Sequence, residues 1–129
     1  MDKNSKFPVD KIKVGGFEFD FKYMEQNEVD DTGSVGRFSS TFGYIKMGDE
    51  QTDCQAVDTM IHETIHAIEY VMAARPKADE EELYVDTMSS GWGMVIKDNP
   101  DMLLWMLYMY TKNKKILKLI EDMVNERDT

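Results

Sequence analysis

The stretch MIHETIHAIEY, Met60 to Tyr70, lies where the residue pattern of the chain changes from strand-like to helical, and it holds the only two histidines. Its apolar residues belong to a spacing of three and four residues that runs from Val57 to Met72. That spacing predicts an amphipathic helix with one face toward a core. Thr52 or Asp53 can serve as its N-cap.

The segment before this helix has the pattern of strands. KIKVGGFEFDFKYM, residues 11–24, alternates apolar and polar residues around Gly15-Gly16, which predicts a β-hairpin. The next segment, residues 25–40, is polar and interrupted by glycines, so we expect a loop. Alternation returns between Phe42 and Met47 and predicts a third strand.

Prolines divide the segment after the motif helix. Pro76 predicts an end to that helix near residues 74–75. Asp79 is a suitable N-cap for a second helix that runs to about Lys97. Asn99-Pro100 marks the start of a third helix, expected at about residues 101–126. Three strands followed by three helices predict an α+β fold, with a small antiparallel sheet, in a single domain of residues 1–129.

Composition excludes several classes of function. The 129 residues carry a net charge of -10, which argues against binding nucleic acid or an anionic membrane surface. Cys54 is the one cysteine, so no disulfide can form within the chain. The N-terminal sequence lacks the apolar segment of a secretory signal, and the most apolar run, Met102 to Tyr110, is too short for a membrane helix. We therefore expect a cytoplasmic protein.

The two histidines of the motif have the spacing of metal ligands. His62 and His66 are four residues apart and so lie on one face of a helix, where two imidazoles can bind one zinc ion. Glu63 lies beside His62 and can act as general base on a water bound to that zinc. The alternative is an ordinary amphipathic helix that happens to carry two histidines.

A catalytic zinc site needs a third protein ligand, and the chain has no third histidine. The acidic start of the second helix can supply a carboxylate. We favour Glu82, because Asp86 follows one turn later and can accept a hydrogen bond from a zinc-binding histidine. Glu81 is the main alternative for the third ligand, and Cys54 a weaker one.

These residues resemble a known family. HETIHAIEY, followed by EEELYVDTMSSGWGMVIKDNP, is similar to the Glu-type zinc metallopeptidases, and more closely to small metallopeptidase-like proteins of phages and other mobile elements related to the ImmA/IrrE group. The resemblance covers about residues 11–100, and the C-terminal helix lies outside it. It implies a minimal zincin-like domain in which His62, His66 and Glu82 bind Zn²⁺ and Glu63 is the catalytic base.

The chain departs from that family in two ways. ImmA/IrrE proteins usually carry a DNA-binding or sensor module, and the sequence has no such module. The small residues that follow the ligand Glu in the group are replaced by YVDTMSSGW, residues 84–92, which leaves the register of the third ligand open by one residue.

The function expected from this site is hydrolysis of a peptide bond in a protein or peptide substrate. A substrate strand is expected to pair with the strand at residues 42–47, and Tyr44, Tyr70 and Tyr84 are candidates for stabilising the oxyanion. Two alternatives to a peptidase are also open. The protein could be a zinc-stabilised interaction protein without turnover, or an acidic protein of a mobile element that mimics DNA and blocks a DNA-binding protein. The apolar run Met102 to Tyr110 is most simply core, but it also allows a homodimer contact or a groove for a partner helix.

Overall fold

The structure is a computed structural model that describes residues 6–73 and 81–128, although the side chains at 81, 82, 85, 86 and 128 lie outside that description. Four strands and five helices lie within the described ranges. The strands are β1 (Lys11–Val14), β2 (Phe17–Met24), β3 (Gly36–Ser39) and β4 (Tyr44–Gly48). The helices are α1 (Gln26–Thr32), α2 (Asp53–Met72), α3 (Glu81–Asp98), α4 (Pro100–Thr111) and α5 (Lys114–Asp128).

The strands form one mixed sheet in the order β1-β2-β4-β3. The predicted hairpin is confirmed: β1 and β2 are antiparallel, and Gly15 between them has φ of 60°. The predicted third strand is also present, as β4. The expectation of a purely antiparallel sheet is wrong, because β4 pairs in parallel with β2.

The expected loop at residues 25–40 contains two elements instead. Helix α1 occupies its first part and ends at Gly33, whose φ of 69° closes the helix through a hydrogen bond from its N–H to the Val29 carbonyl. Strand β3 occupies its second part and pairs antiparallel with β4. The mainly polar composition concealed both elements, since α1 buries none of its residues and β3 is an edge strand.

Helix α2 begins as predicted. Thr52 is its N-cap, and the side chains of Thr52 and Gln55 each bond to the backbone of the other, which forms a capping box. The helix ends at Met72, about two residues before the expected position, where Ala73 adopts a left-handed conformation with φ of 53°. The predicted N-cap of the next helix, Asp79, lies outside the described residues.

Asn99 and Pro100 separate α3 from α4, as predicted, but the Asn99 side chain has a different role. It does not cap α4. Its Oδ1 accepts a hydrogen bond from the Lys13 N–H at 2.9 Å, and its Nδ2 donates to the Lys13 carbonyl at 2.6 Å. Asn99 thereby satisfies both backbone groups of Lys13 on the outer edge of β1, as a neighbouring strand would.

The single long helix expected at residues 101–126 is two helices. Lys112 has φ of 52° and ends α4, and the Asn113 side chain accepts a hydrogen bond from the Lys115 N–H at the start of α5. Neither residue is a glycine or a proline, so the sequence pattern did not reveal this break. The apolar run Met102 to Tyr110 forms most of α4, where Met102, Trp105, Met106 and Met109 are buried and Leu107 and Tyr110 are exposed.

The core lies between one face of the sheet and the helices. The buried side chains of the strands point to this face, whereas the opposite face carries charged residues. Large side chains that are almost completely buried include Trp105, Ile12, Met24, Ile45, Met60 and Ile68. Among the described helices, none has the length and apolar character needed to span a membrane.

Candidate metal centre

His62, Glu63 and His66 lie in the middle of α2, on a helix whose start is fixed by the capping box. The buried residues of the helix include Ala56, Val57, Met60, Ala67 and Ile68. This apolar face packs against the sheet and leaves both histidines exposed to solvent. The helix therefore presents the two imidazoles outward from a rigid support.

The two imidazoles converge on a common point. The Nε2 atoms of His62 and His66 are 3.3 Å apart, and the rings meet edge to face with centroids 4.9 Å apart. Two nitrogens bound to one tetrahedral zinc ion, each at about 2.0–2.1 Å, lie about 3.3–3.4 Å from one another. The observed separation fits that arrangement, and it is also the length of a weak hydrogen bond between two neutral rings.

A carboxylate lies beside the other nitrogen of His66. Oε1 of Glu69 is 3.6 Å from Nδ1 of His66, slightly beyond hydrogen-bond distance. A carboxylate at Nδ1 favours the proton on that nitrogen and leaves the Nε2 lone pair for a metal. The expected supporting role of Asp86 is untested, because its side chain lies outside the description. Glu69 is a second candidate for that role, and its position three residues after His66 on a helix is a signal present in the sequence.

Glu63 differs from the histidines because it is buried. Only 6% of its surface is exposed. Burial raises the pKa of its carboxyl group, while the neighbouring His62 and His66 act in the opposite direction. Among the described side chains, no fully buried polar atom lacks a hydrogen-bond partner, so the Glu63 carboxylate, to which no described group donates, keeps some contact with solvent. A largely buried carboxyl group with a raised pKa beside two possible metal ligands is a candidate for a functional acid or base.

Gly36 provides the space for Glu63. A Cβ atom at this position of β3 would lie 2.8 Å from Oε1 of Glu63 and 2.6 Å from Cγ2 of Thr59. Such distances are shorter than van der Waals contact, so only glycine allows β3 to approach α2 this closely. The backbone of β3 consequently runs directly past the Glu63 carboxylate. In the sequence, Gly36 has only the pattern of a loop residue, because its contact with Glu63 joins segments far apart in the chain.

The proposed third ligand lies on α3. Glu82 and its alternative Glu81 are in the first turn of this helix, and Asp86 lies one turn after Glu82, but the side chains of all three lie outside the description. Among the side chains that are described, no three His, Cys, Asp or Glu residues are grouped so as to hold a metal ion. The described part of the site is therefore the histidine pair and Glu63.

A close contact fixes α3 against α2. A Cβ atom on Gly91 would lie 2.3 Å from Cγ2 of Ile68, so the two helices approach to a distance that only glycine permits. Ile68 follows His66 by two residues on α2. The position of the acidic start of α3 relative to the histidines thus depends on this contact.

The remaining candidates differ in their positions. Cys54 is exposed, two turns before His62. Of the tyrosines considered for the oxyanion, Tyr70 lies one turn after His66, on the helical face that carries both histidines. Tyr44 begins β4 and Tyr84 lies on α3, and both are partly buried.

The expected substrate strand is wrong. Most of the segment at residues 42–47 belongs to β4 (Tyr44–Gly48), which lies between β2 and β3 and has no free edge. The edge strand beside the motif helix is β3. Because the Gly48 N–H donates to the Val35 carbonyl at 2.8 Å, the alternation of antiparallel pairing directs the backbone groups of Gly36 and Phe38 away from β4.

We compared the chain with models of protein families, with curated proteins and with solved structures, and it matches none of them. The family resemblance therefore rests on the residues of the motif and of α3.

Proposed function

We propose that this protein is a zinc-dependent peptidase whose metal is held by His62, His66 and Glu82, with Glu63 as the general base. The observation that carries the proposal is the pair of Nε2 atoms 3.3 Å apart on two exposed histidines, with the largely buried Glu63 between them in sequence. An ordinary amphipathic helix has no need to bury most of Glu63, since partial removal of a carboxylate from water disfavours its charged form.

The chemistry requires one proton carrier and one electrophilic centre. A zinc ion held by these residues supplies Lewis acidity, which lowers the pKa of a coordinated water and polarises the substrate carbonyl. Glu63 accepts a proton from the attacking water as its oxygen forms a bond to the carbonyl carbon. Glu63 then donates that proton to the amine nitrogen as the C–N bond breaks. The raised pKa of Glu63 suits both transfers, because the group must hold a proton between them.

An extended substrate is expected to pair with β3. Its outward backbone groups at Phe38 are available for strand addition. Those of Gly36 already bond to the Ser34 hydroxyl, which donates to the carbonyl at 2.6 Å and accepts from the N–H at 3.4 Å, so an incoming strand has to replace these two bonds. Since Gly36 contacts Glu63, a peptide on this edge passes beside the general base. The substrate is a protein or peptide, and a chain with one cysteine suits the reducing cytoplasm.

Cleavage and metal content together test this function. The zinc-loaded protein and its Glu63→Gln variant are incubated with a mixture of peptides from a digested proteome, and new termini are identified by mass spectrometry. We expect cleavage by the wild type and a loss of at least about a hundredfold in the variant, because general acid–base catalysis contributes roughly that much. Zinc content should be equal in both proteins.

Two other results would favour other functions. Equal zinc in both proteins without cleavage, together with unfolding on chelation, would indicate a zinc-stabilised interaction protein. A folded protein that takes up no zinc would contradict the proposal altogether.

A further inference from the structure

A group of aromatic rings adjoins the histidines at the C-terminal end of α2. The Tyr70 ring lies 5.8 Å from that of Phe17 and 6.1 Å from that of Phe38, and the Phe38 ring lies 5.3 Å from that of Phe19. These four residues, which we call the aromatic cluster, come from the motif helix, from the start of β2 and from the edge strand β3. The cluster thus begins one helical turn beyond His66.

The rings of the cluster differ in burial. Phe19 is 2% exposed and belongs to the core, but Tyr70 is 47% and Phe17 is 46% exposed. Packing of the sheet on α2 explains the burial of Phe19. This packing does not explain why the rings of Tyr70 and Phe17 remain about half exposed to solvent, next to two exposed histidines.

Strand β3 links the aromatic cluster to Glu63. Gly36 contacts the Glu63 carboxylate, and Phe38, two residues later, contacts the Tyr70 ring. Residues two apart on a strand point to the same face and are separated by about 6.5–7 Å. On a peptide that pairs antiparallel with β3, the residues opposite Gly36 and Phe38 have side chains on that same face.

We propose that the aromatic cluster is a specificity subsite that takes an apolar side chain of an extended peptide. That side chain belongs to the peptide residue opposite Phe38. In the peptide sequence, this residue comes two positions before the residue opposite Gly36. This inference rests on the proposed function for the direction of the peptide past Glu63. Tyr70 and Phe38 contact the side chain and Phe17 supports the Tyr70 ring, so these residues determine specificity without taking part in the chemistry.

Peptide binding tests the subsite separately from turnover. The full chain carrying Glu63→Gln, labelled with ¹⁵N and supplied with zinc, is titrated with an acetylated and amidated heptapeptide of threonine with one central phenylalanine. The same peptide with central alanine is the comparison. We expect the phenylalanine peptide to bind roughly threefold to tenfold more tightly, as aromatic pairs contribute that much. Its binding should shift the amide signals of Gly36 and Phe38.

Variants of the exposed ring provide the controls. Tyr70→Ala should abolish the preference for phenylalanine, and Tyr70→Phe should retain it, because the ring and not the hydroxyl makes the contact. Tyr110→Ala, at a ring of similar exposure on α4, should leave the preference unchanged. Equal affinity for the two peptides, no binding of either, or a preference that survives Tyr70→Ala would each overturn the proposal.

Zinc uptake is measured on the same samples. A protein that takes up no zinc but keeps the Tyr70-dependent preference would contradict the peptidase function and leave the subsite standing. A protein that takes up zinc but shows no preference would overturn the subsite alone.

Discussion

Glu63 is the residue at which burial and charge conflict most clearly. It is 6% exposed, and burial raises the pKa of its carboxyl group. The fold nevertheless places Gly36 where this side chain needs room. Such an arrangement lowers stability at neutral pH, because it removes much of a charged group from water.

This conflict predicts that Glu63→Gln stabilises the metal-free protein at neutral pH. The pKa of Glu63 is higher in the folded than in the unfolded protein, so the folded state holds a proton between the two values. Stability is therefore lost as the pH rises through that interval. Glutamine carries no charge and avoids the loss. Thermal unfolding of both proteins in a chelator should show a higher midpoint for the variant at pH 7.5, with little difference at pH 3.5. A lower midpoint for the variant at pH 7.5 would show that burial does not penalise this carboxylate.

Glu69 yields a second prediction at the level of single residues. Its carboxylate lies 3.6 Å from Nδ1 of His66, so Glu69→Gln should weaken zinc binding about tenfold, as removal of such supporting groups does. Asp58→Asn is the control, since it removes the same charge from an exposed position one turn before His62. Competition with a chromophoric chelator measures both affinities. Equal losses in the two variants would mean that only the net charge matters.

Two close contacts that depend on glycine position the strand β3 and the helix α3 against the motif helix α2. Gly36 brings β3 against α2, and Gly91 brings α3 against α2. Both contacts join residues distant in sequence, and neither leaves a signal in the local pattern. The element boundaries that were predicted correctly have local causes instead: the capping box of Thr52 and Gln55, and Asn99-Pro100.

The difference between local signals and contacts distant in sequence also explains where the predicted fold is wrong. Lys112 adopts a positive φ, and the following Asn113 caps a new helix, with no glycine or proline to mark the break. Strand β3 has only four residues and is an edge strand. In the site, the spacing of His62, Glu63 and His66 is visible on one helix. Glu69 follows His66 by three residues and is recognisable from the same helical spacing, whereas Gly36 enters the site only through the tertiary fold.

Gly36→Ala should displace β3 from α2. The added methyl group would lie 2.6 Å from the Thr59 methyl group, which cannot rotate away easily because threonine is β-branched. We expect a loss of about 1–3 kcal/mol in the free energy of unfolding, as for other overpacked sites. Gly16→Ala, where no atom lies within 4 Å of the added Cβ, is the control. Denaturant unfolding that gives the two variants equal stability would show that β3 can shift without cost.

Gly91→Ala and Gly93→Ala form a matched pair on α3. Both exchanges favour the helix by up to about 1 kcal/mol. At Gly91 the methyl group would lie 2.3 Å from Cγ2 of Ile68, but at Gly93 no atom lies within 4 Å. Gly93→Ala should therefore raise the unfolding midpoint, whereas Gly91→Ala should lower it and weaken zinc binding by moving α3. If Gly91→Ala also unfolds at a higher temperature than the wild type, then α2 and α3 do not pack closely enough at this position to exclude a methyl group.

The whole molecule combines a charged outer sheet face, a core between sheet and helices, and one helix that presents two histidines to solvent. Its net charge of -10 places many carboxylates on the surface, which attract metal ions weakly and without order. A specific zinc site must therefore be distinguished from this background by stoichiometry and by its dependence on the two imidazoles.

The most direct measurement is zinc binding by isothermal titration calorimetry. It compares the wild-type chain with three variants: His66→Ala, Glu82→Gln and Glu81→Gln. The account predicts one equivalent of tightly bound zinc in the wild type, loss of that binding in His66→Ala, and a larger loss for Glu82→Gln than for Glu81→Gln. The reverse order for the two glutamates would move the third ligand to Glu81 and keep the site. A folded wild type that binds no zinc, or a His66→Ala variant that binds it unchanged, would contradict the account.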